Sequence, residues 1–143
     1  MEFLSRYWKI ALIMVLLTTW RPVFLLAQEG DYQKGLSYYK QQEYQKAIEE
    51  FEVIVKANPD YESGFRILGD CYLKLLDYDQ AAEAFQNALR LKEDNYISHY
   101  GLALAYYNAG RYDETVSTLR EGETYARSPR HQYQLFRTRG SAY

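Results

Sequence analysis

The sequence contains a single cysteine, Cys71, among its 143 residues. One thiol cannot form an intramolecular disulfide, and it cannot supply a zinc site by itself. We interpret Cys71 as a small helix residue that faces the packed side of the fold. An intermolecular bridge or a reactive thiol is the alternative.

The chain also lacks a strong charge of one sign and any recognisable catalytic motif. Its formal net charge of −2 gives no electrostatic reason to expect binding to nucleic acid or to an acidic membrane surface. No nucleophile–base constellation, phosphate loop or metal cluster can be found, and His99 and His131 are far apart in the sequence pattern. We therefore predict a protein that is not an enzyme and that has no cofactor and no metal site.

Tyrosine is abundant, with 16 residues, whereas both tryptophans lie in the first 27 residues. Apolar residues make up 48% of the chain and charged residues 25%, a balance that favours a packed core over disorder. Tyrosine combines a large ring with a hydroxyl, so it suits surfaces that are half core and half interface.

The segment 1–27 has the features of an export signal. A mildly positive start precedes an uncharged, mostly apolar run at 10–20, and the small residue Ala27 ends the segment. The run is too short to span a membrane, and Arg21 would lie inside any longer one. We predict cleavage after Ala27 and a location outside the cytoplasm, in a bacterial periplasm or secreted. An uncleaved membrane anchor at 10–26 is the alternative.

A pattern of small and aromatic residues recurs every 34 positions along the rest of the chain. Such a period indicates an array of supersecondary units stacked in one direction. The best copy has Gly69, Tyr72, Tyr78, Ala81 and Phe85. The preceding copy has Gly35, Tyr38, Tyr44, Ala47 and Phe51, and the following, weaker copy has Ala103, Tyr106, Tyr112, Thr115 and Leu119.

Apolar spacing within each unit predicts two helices joined by a short turn. In the first unit we expect a helix at 29–41, with Asp31 and Gly35 on one face, and a second helix that starts near Tyr44. Pro59 ends that second helix, because proline cannot continue the hydrogen-bond ladder. The predicted units are 28–61, 62–95 and 96–129, followed by a partial fourth repeat or capping helix at 130–143.

The third unit departs from the pattern in its second helix. Thr115 replaces a small alanine, and Gly122 and Glu123 stand where the earlier units have apolar residues. Glycine is unfavourable within a helix and a charge is unfavourable in a buried stripe, so we expect this face to be incompletely buried. Residues 130–143 resume the first-helix pattern, which favours a truncated array over a polar cap.

These residues resemble the tetratricopeptide repeat family over 28–129, with a partial match to 143. The resemblance implies an all-α fold, a right-handed α-solenoid of antiparallel helix–turn–helix repeats with three full units and a partial fourth. It implies that Gly35, Gly69 and Ala103 permit close helix approach. The pattern is carried best by Phe65, Leu68, Gly69, Tyr72, Tyr78, Ala81, Phe85 and Ala88, and we expect Tyr38, Tyr44, Tyr72, Tyr78, Tyr106 and Tyr112 to be core residues.

In this family the first helices line a concave surface, and a helical wheel identifies the residues that would point into it. We call this set the groove face; it is aromatic at both ends, charged in the middle and has one leucine in each unit. Such a surface fits a peptide or helix held by a few aromatic anchors. The groove face comprises Tyr32, Leu36, Tyr39 and Lys40, then Arg66, Asp70, Leu73 and Lys74, then Tyr100, Leu104, Tyr107 and Asn108.

One binding mode of the family is excluded. Some members grip a partner's terminal carboxylate with lysine, asparagine and arginine on these helices. The matching positions here are Tyr32, Leu36, Ile67, Ile97 and Gly101, none of which can form that clamp.

We therefore expect an exported scaffold that binds a protein or peptide segment in its groove, without nucleic acid and with membrane contact only through a retained N-terminal segment. A homo-oligomer through the open C-terminal end is compatible with this pattern. Two alternatives remain: a region of a larger, truncated protein whose effector domain is missing, or a groove for a glycan or small ligand.

Overall fold

The computed structural model describes residues 31–126, and all regular secondary structure in that range is helical. Each helix packs against its neighbours in the sequence, and the third also contacts the fifth. This all-α arrangement of helix pairs is the predicted solenoid, while the segments 1–27 and 130–143 lie outside the described residues. The helices are α1 (Tyr32–Lys40), α2 (Tyr44–Ala57), α3 (Glu62–Lys74), α4 (Tyr78–Leu91), α5 (Tyr96–Asn108) and α6 (Tyr112–Tyr125).

Asp31 caps the start of α1 and does not belong to its packing face, which corrects the sequence-based expectation. Its Oδ1 accepts hydrogen bonds from the backbone N–H of Gln33 at 2.9 Å and of Lys34 at 3.1 Å. A side-chain oxygen at this position satisfies backbone donors that have no partner within the helix. Asp77 and Asn95 cap α4 and α5 in the same way.

The turn inside each unit ends the first helix with one residue in the left-handed region. These residues are Gln42 (φ 63°), Leu76 (φ 64°) and Gly110 (φ 76°). The next backbone N–H then reaches back to the helix, as from Asp77 to the carbonyl of Tyr72 at 2.9 Å. This Schellman-type ending reverses the chain so that the two helices of a unit lie antiparallel.

Two phenylalanines fill the space inside the helix pairs, and glycines make room for them. Phe51 and Phe85 are fully buried. A Cβ added at Gly35 would lie 2.9 Å from Phe51 Cε2, and one added at Gly69 would lie 2.8 Å from Phe85 Cε2. The predicted role of these two glycines in close helix approach is thus confirmed.

The third unit is better packed than we expected. Thr115 and Leu119 are fully buried, Gly122 is buried and Glu123 is half-buried. The Thr115 hydroxyl donates to the carbonyl of Arg111 at 2.9 Å, so it enters the interior without an unsatisfied polar atom. The expectation was wrong at Gly122 and at Thr115, where a threonine that bonds its own helix can replace alanine, but Glu123 does remain partly exposed.

The tyrosines expected in the core divide into three groups. Tyr106 is buried, and Tyr38, Tyr44, Tyr72 and Tyr78 are half-buried. Tyr112 is 52% exposed, so its assignment to the core was wrong. It is the first residue of α6, and its ring rests against Tyr107 on the surface, with centroids 5.8 Å apart.

Cys71 is fully buried in the cluster formed by the first two units, as interpreted from the sequence. Burial raises the pKa of its thiol to about 12, and the nearby Asp70 charge acts in the same direction. A thiol in this state is an inert packing group, because the thiolate is the reactive form.

Candidate binding groove

All twelve residues of the groove face remain accessible to solvent. Lys40, Lys74 and Asn108 are exposed, and the other nine are half-buried. They lie on α1, α3 and α5, the first helices of the three units, of which α3 and α5 are in direct contact. The face is therefore a surface that could be covered by a partner.

The centre of the groove face is charged and lies on α3. Arg66 Nη1 and Asp70 Oδ2 are 3.8 Å apart, one helical turn from each other, with 27% and 32% of the side chains exposed. At this distance the two groups form an ion pair, but they are too far apart for a hydrogen bond. Burial raises the pKa of Asp70, although Arg66 and Lys74 pull it down. The Asp70 carboxylate is therefore partly desolvated, and the attraction of Arg66 and Lys74 only partly offsets the effect of burial.

Tyr39 brings the α1 end of the face against this charged centre. Its ring meets Tyr44 edge to face, with centroids 5.8 Å apart. Burial raises the pKa of the Tyr39 hydroxyl most, and the next contributor is the charge of Asp70 on α3. The structure therefore places Tyr39 within electrostatic reach of Asp70, across the boundary between the first and second units.

Several other groove-face residues are partly committed to internal packing. Tyr32 contacts Phe51 at 5.7 Å and Tyr61 at 6.1 Å between ring centroids, both edge to face. Leu36 packs against the cluster of the first two units, and Tyr100 against the cluster of the third. These side chains support the face and stiffen it, and Tyr39 likewise packs against the cluster of the first two units.

Tyr107 forms the opposite aromatic end together with Tyr112. Their edge-to-face contact was not foreseen, because Tyr112 was assigned to the core. The exposed ring of Tyr112 enlarges the aromatic surface next to the groove face.

A cavity of about 440 Å³ adjoins the groove face and was missed by the sequence analysis. It lies between the starts of α3 and α5 and is bordered by Glu62, Arg66, Ile97 and Tyr125. Glu62 accepts a hydrogen bond from Asn95 Nδ2 at 2.7 Å, which ties the two helix starts together. Ile97, which is 42% exposed, falls on the same arc of the helical wheel as the groove face, and that signal could have found it.

His99 takes a structural place in the third unit. It is buried, its Nε2 lies 2.9 Å from the carbonyl oxygen of Glu93, and its ring stacks on Tyr125 with centroids 5.4 Å apart. Within residues 31–126, no cluster of three or more histidine, cysteine or carboxylate side chains could hold a metal ion. In the same range no helix is long and apolar enough to cross a membrane.

The geometry defines a class: an α-solenoid of helix pairs whose first helices carry accessible aromatic and charged side chains. Comparison with known families agrees with that class. The pattern described as "Tetratricopeptide repeat" matches residues 68–123, and a second pattern with the same description matches residues 29–61. Together they account for more than half of the chain, which belongs to the tetratricopeptide repeat family.

Curated relatives share the repeats but are much longer proteins. The peroxisomal targeting signal receptor of Candida glabrata is 31% identical over 85 residues, which are 59% of this chain and 14% of that protein. The curated relatives that match have between 5% and 21% of their length in common with this chain.

Solved structures share the fold at low identity. The yeast Sti1 TPR2B domain in its complex with pHsp70 has a TM-score of 0.71 at 17% identity and covers 78% of this chain and 94% of that one. The Yersinia enterocolitica type III secretion chaperone SycD, in complex with a peptide of the translocator YopD, has a TM-score of 0.73 at 16% identity. That match covers 78% of this chain and 88% of SycD.

Proposed function

We propose that this chain is a non-enzymatic scaffold that binds a protein or peptide segment on its groove face. The observation that carries the proposal is the accessibility of all twelve groove-face residues, which combine aromatic rings, leucines and an incompletely compensated carboxylate. Protein interfaces are enriched in aromatic and arginine anchors, and the groove face presents both kinds of side chain. The peptide and protein complexes of SycD and Sti1 support the same interpretation by analogy.

Selection from a random peptide library, followed by calorimetric titration of the selected peptide, tests this function. Tyr39→Ala and Tyr107→Ala should each weaken binding about tenfold or more, in line with the loss of an aromatic anchor. Val53→Ala removes an exposed apolar side chain from α2, outside the groove face, and serves as the matched control. Unchanged affinity in both tyrosine variants, with intact helicity, would contradict the proposed surface. Oligosaccharides titrated in parallel distinguish a peptide groove from a glycan groove.

Export remains part of the proposal, because the segment 1–27 lies outside the described residues. It rests on the positive start, the short apolar run and Ala27. Sequencing the N-terminus of the protein purified from its host should give a chain that begins near Gln28. A chain that retains Met1 in the membrane fraction would indicate an anchor at 10–26 instead.

A second candidate is that the repeats form one region of a larger protein. The small share of each curated relative that this chain matches favours it, since repeats of this kind occur there inside longer proteins. The coding sequence after Tyr143 decides the question. An open reading frame that encodes a further domain would replace the stand-alone scaffold with this second candidate. Contact between chains through the 130–143 segment can be tested by light scattering of the full chain.

A further inference from the structure

Three charged residues of the groove face form a line along α3. Arg66, Asp70 and Lys74 are each four residues apart, and an α-helix rises about 6 Å over four residues. Their charges alternate as positive, negative, positive along the helix. Arg66 and Asp70 are paired at 3.8 Å, and Lys74 acts electrostatically on Asp70 from the other side. We call this line the charge strip.

Uncharged residues flank the charge strip on both sides. On the α1 side they include Leu36 and Tyr39, and on the α5 side Leu104 and Tyr107, all half-buried. The remaining charge of the groove face is Lys40, exposed at the end of α1. The surface therefore has a polar centre line between two apolar margins, and its twelve residues hold three cations and one anion.

Within residues 31–126, the ion pair of the charge strip is a long one. The separation of Arg66 and Asp70 is too long for a hydrogen bond, so donor and acceptor capacity remains available to a partner. An ion pair at a partly exposed position, without a hydrogen bond, adds little to folding stability. Its value rises when a partner excludes water from it, and electrostatic complementarity then governs which partner fits.

We propose that the groove face recognises an amphipathic helix that carries an acidic, a basic and an acidic residue at positions i, i+4 and i+8, with apolar residues on both sides of that line. This inference rests on the proposed function and specifies its ligand. The partner's spacing matches the charge strip because both are helices, and the symmetric charge order accepts either helix direction. The excess of cations on the face favours a segment that is acidic overall.

An extended segment fits this surface less well. Its side chains alternate between two faces, so the residues between the charged positions would point away from the groove. Such a segment could match the charge strip but could not cover the apolar margins next to Tyr39 and Tyr107. A helix instead places the residues adjacent to its charged line on either side of that line, where they meet both margins.

Two designed helical peptides of equal composition and net charge provide the test. The first peptide has Glu, Lys and Glu at positions i, i+4 and i+8, with leucine and tyrosine on both sides of them. The second has Lys, Glu and Lys at those positions, and charged residues on its opposite face keep the composition and net charge of the two peptides equal. Titration into the full chain should show about tenfold tighter binding of the Glu-Lys-Glu peptide. The triple variant Arg66→Glu, Asp70→Lys, Lys74→Glu should reverse this preference, and circular dichroism checks that it folds.

Controls isolate the charge strip and the helical form of the ligand. Arg90→Glu changes an exposed charge on α4, outside the groove face, and should leave the preference intact. A Glu-Lys-Glu peptide with a central proline cannot form the helix and should bind at least tenfold more weakly. Equal binding of both peptides overturns the inference but leaves peptide binding itself standing. Binding of neither peptide, no reversal in the triple variant, or full affinity of the proline peptide also overturns it.

Discussion

The ring of Phe85 on α4 lies directly against Gly101 on α5, so that a Cβ at Gly101 would stand 2.5 Å from Phe85 Cε1. Gly69 on α3 touches the other side of the same ring. One phenylalanine thus fills the space between the first helices of two successive units, and both helices approach it through a glycine. This contact couples the second unit to the third, which is how stability propagates in a repeat array.

Gly101→Ala should destabilise the fold by about 1–3 kcal/mol, because the added methyl group overlaps a fully buried ring. Urea unfolding followed by circular dichroism measures the change. Phe85→Leu creates space at the same place, so the double variant should lose less stability than the sum of the two single variants. Additive losses would show that the clash is relieved elsewhere and that the contact is not the coupling described here.

Leu76→Gly should stabilise the protein by about 0.5–1 kcal/mol. Leu76 has a φ of 64° and is 69% exposed, so it bears the cost of a left-handed conformation and gains little from burial. That cost is about 1–2 kcal/mol, and the greater freedom of glycine in the unfolded chain offsets about 0.5–1 kcal/mol. Thermal unfolding measures the difference.

Neighbouring positions supply the controls for that prediction. Leu75 has a φ of −87°, so Leu75→Gly should only destabilise. Gly110→Leu places a side chain on the equivalent left-handed position of the third unit and should cost about 1–2 kcal/mol. A loss of stability in Leu76→Gly would mean that the exposed leucine makes contacts worth more than its backbone strain.

Asp70→Asn should increase stability at neutral pH. Burial raises the pKa of Asp70 above the ordinary value of an aspartate, so the folded state holds this proton more tightly than the unfolded state does. Protonated Asp70 therefore contributes to the free energy of unfolding at low pH, and this contribution is lost as pH rises through the folded-state pKa. Relative to the asparagine variant, the native chain should therefore lose stability as pH rises from the unfolded-state pKa of about 4 through the higher folded-state pKa of Asp70.

Glu114 provides a control of opposite sign for the pH experiment. Arg111 donates two hydrogen bonds to its carboxylate, at 2.9 Å and 2.8 Å, and lowers its pKa. The stabilising contribution of the ionised Glu114 side chain is present above the unfolded-state pKa and is lost as pH falls through the folded-state pKa. Glu114→Gln should therefore be less stable than the native chain at neutral pH. Parallel pH dependence in the two variants would contradict the assignment for Asp70.

The periodic residues predicted the helix pairs, the turns and the family, because Gly69, Tyr72 and Phe85 report local spacing and local close packing. The same pattern failed where a neighbouring unit decides the outcome. Gly101 was considered only as a position that cannot form a carboxylate clamp, yet its structural role depends on the Phe85 ring from the preceding unit. Periodicity assigns a residue to a face of a helix, but it does not show whether the first residue of that helix, such as Tyr112, is covered by a neighbour. It also does not show that the hydroxyl of Thr115 can be buried by donating to a carbonyl of its own helix.

The groove face remains a prediction in its function, although its residues could be located from the sequence. Helical phase identified the side chains that stay outside the core, such as Asp70 and Tyr39. It could not give the electrostatic relation between these two, since that depends on how α1 and α3 lie side by side. The cavity beside Ile97 escaped for a similar reason: its walls come from α3, α5 and the end of α6.

Cys71 offers a probe of how the first two units open. Because it is the single cysteine, fully buried and with a pKa raised to about 12, iodoacetamide at pH 8 should label the native chain far more slowly than the urea-unfolded chain. If labelling requires global unfolding, Gly101→Ala should raise the native labelling rate by the same factor as it raises the equilibrium constant for unfolding. A native rate equal to that of the unfolded chain would contradict the burial of this thiol. An unchanged rate in Gly101→Ala would instead show that the first two units open independently of the contact between Phe85 and Gly101.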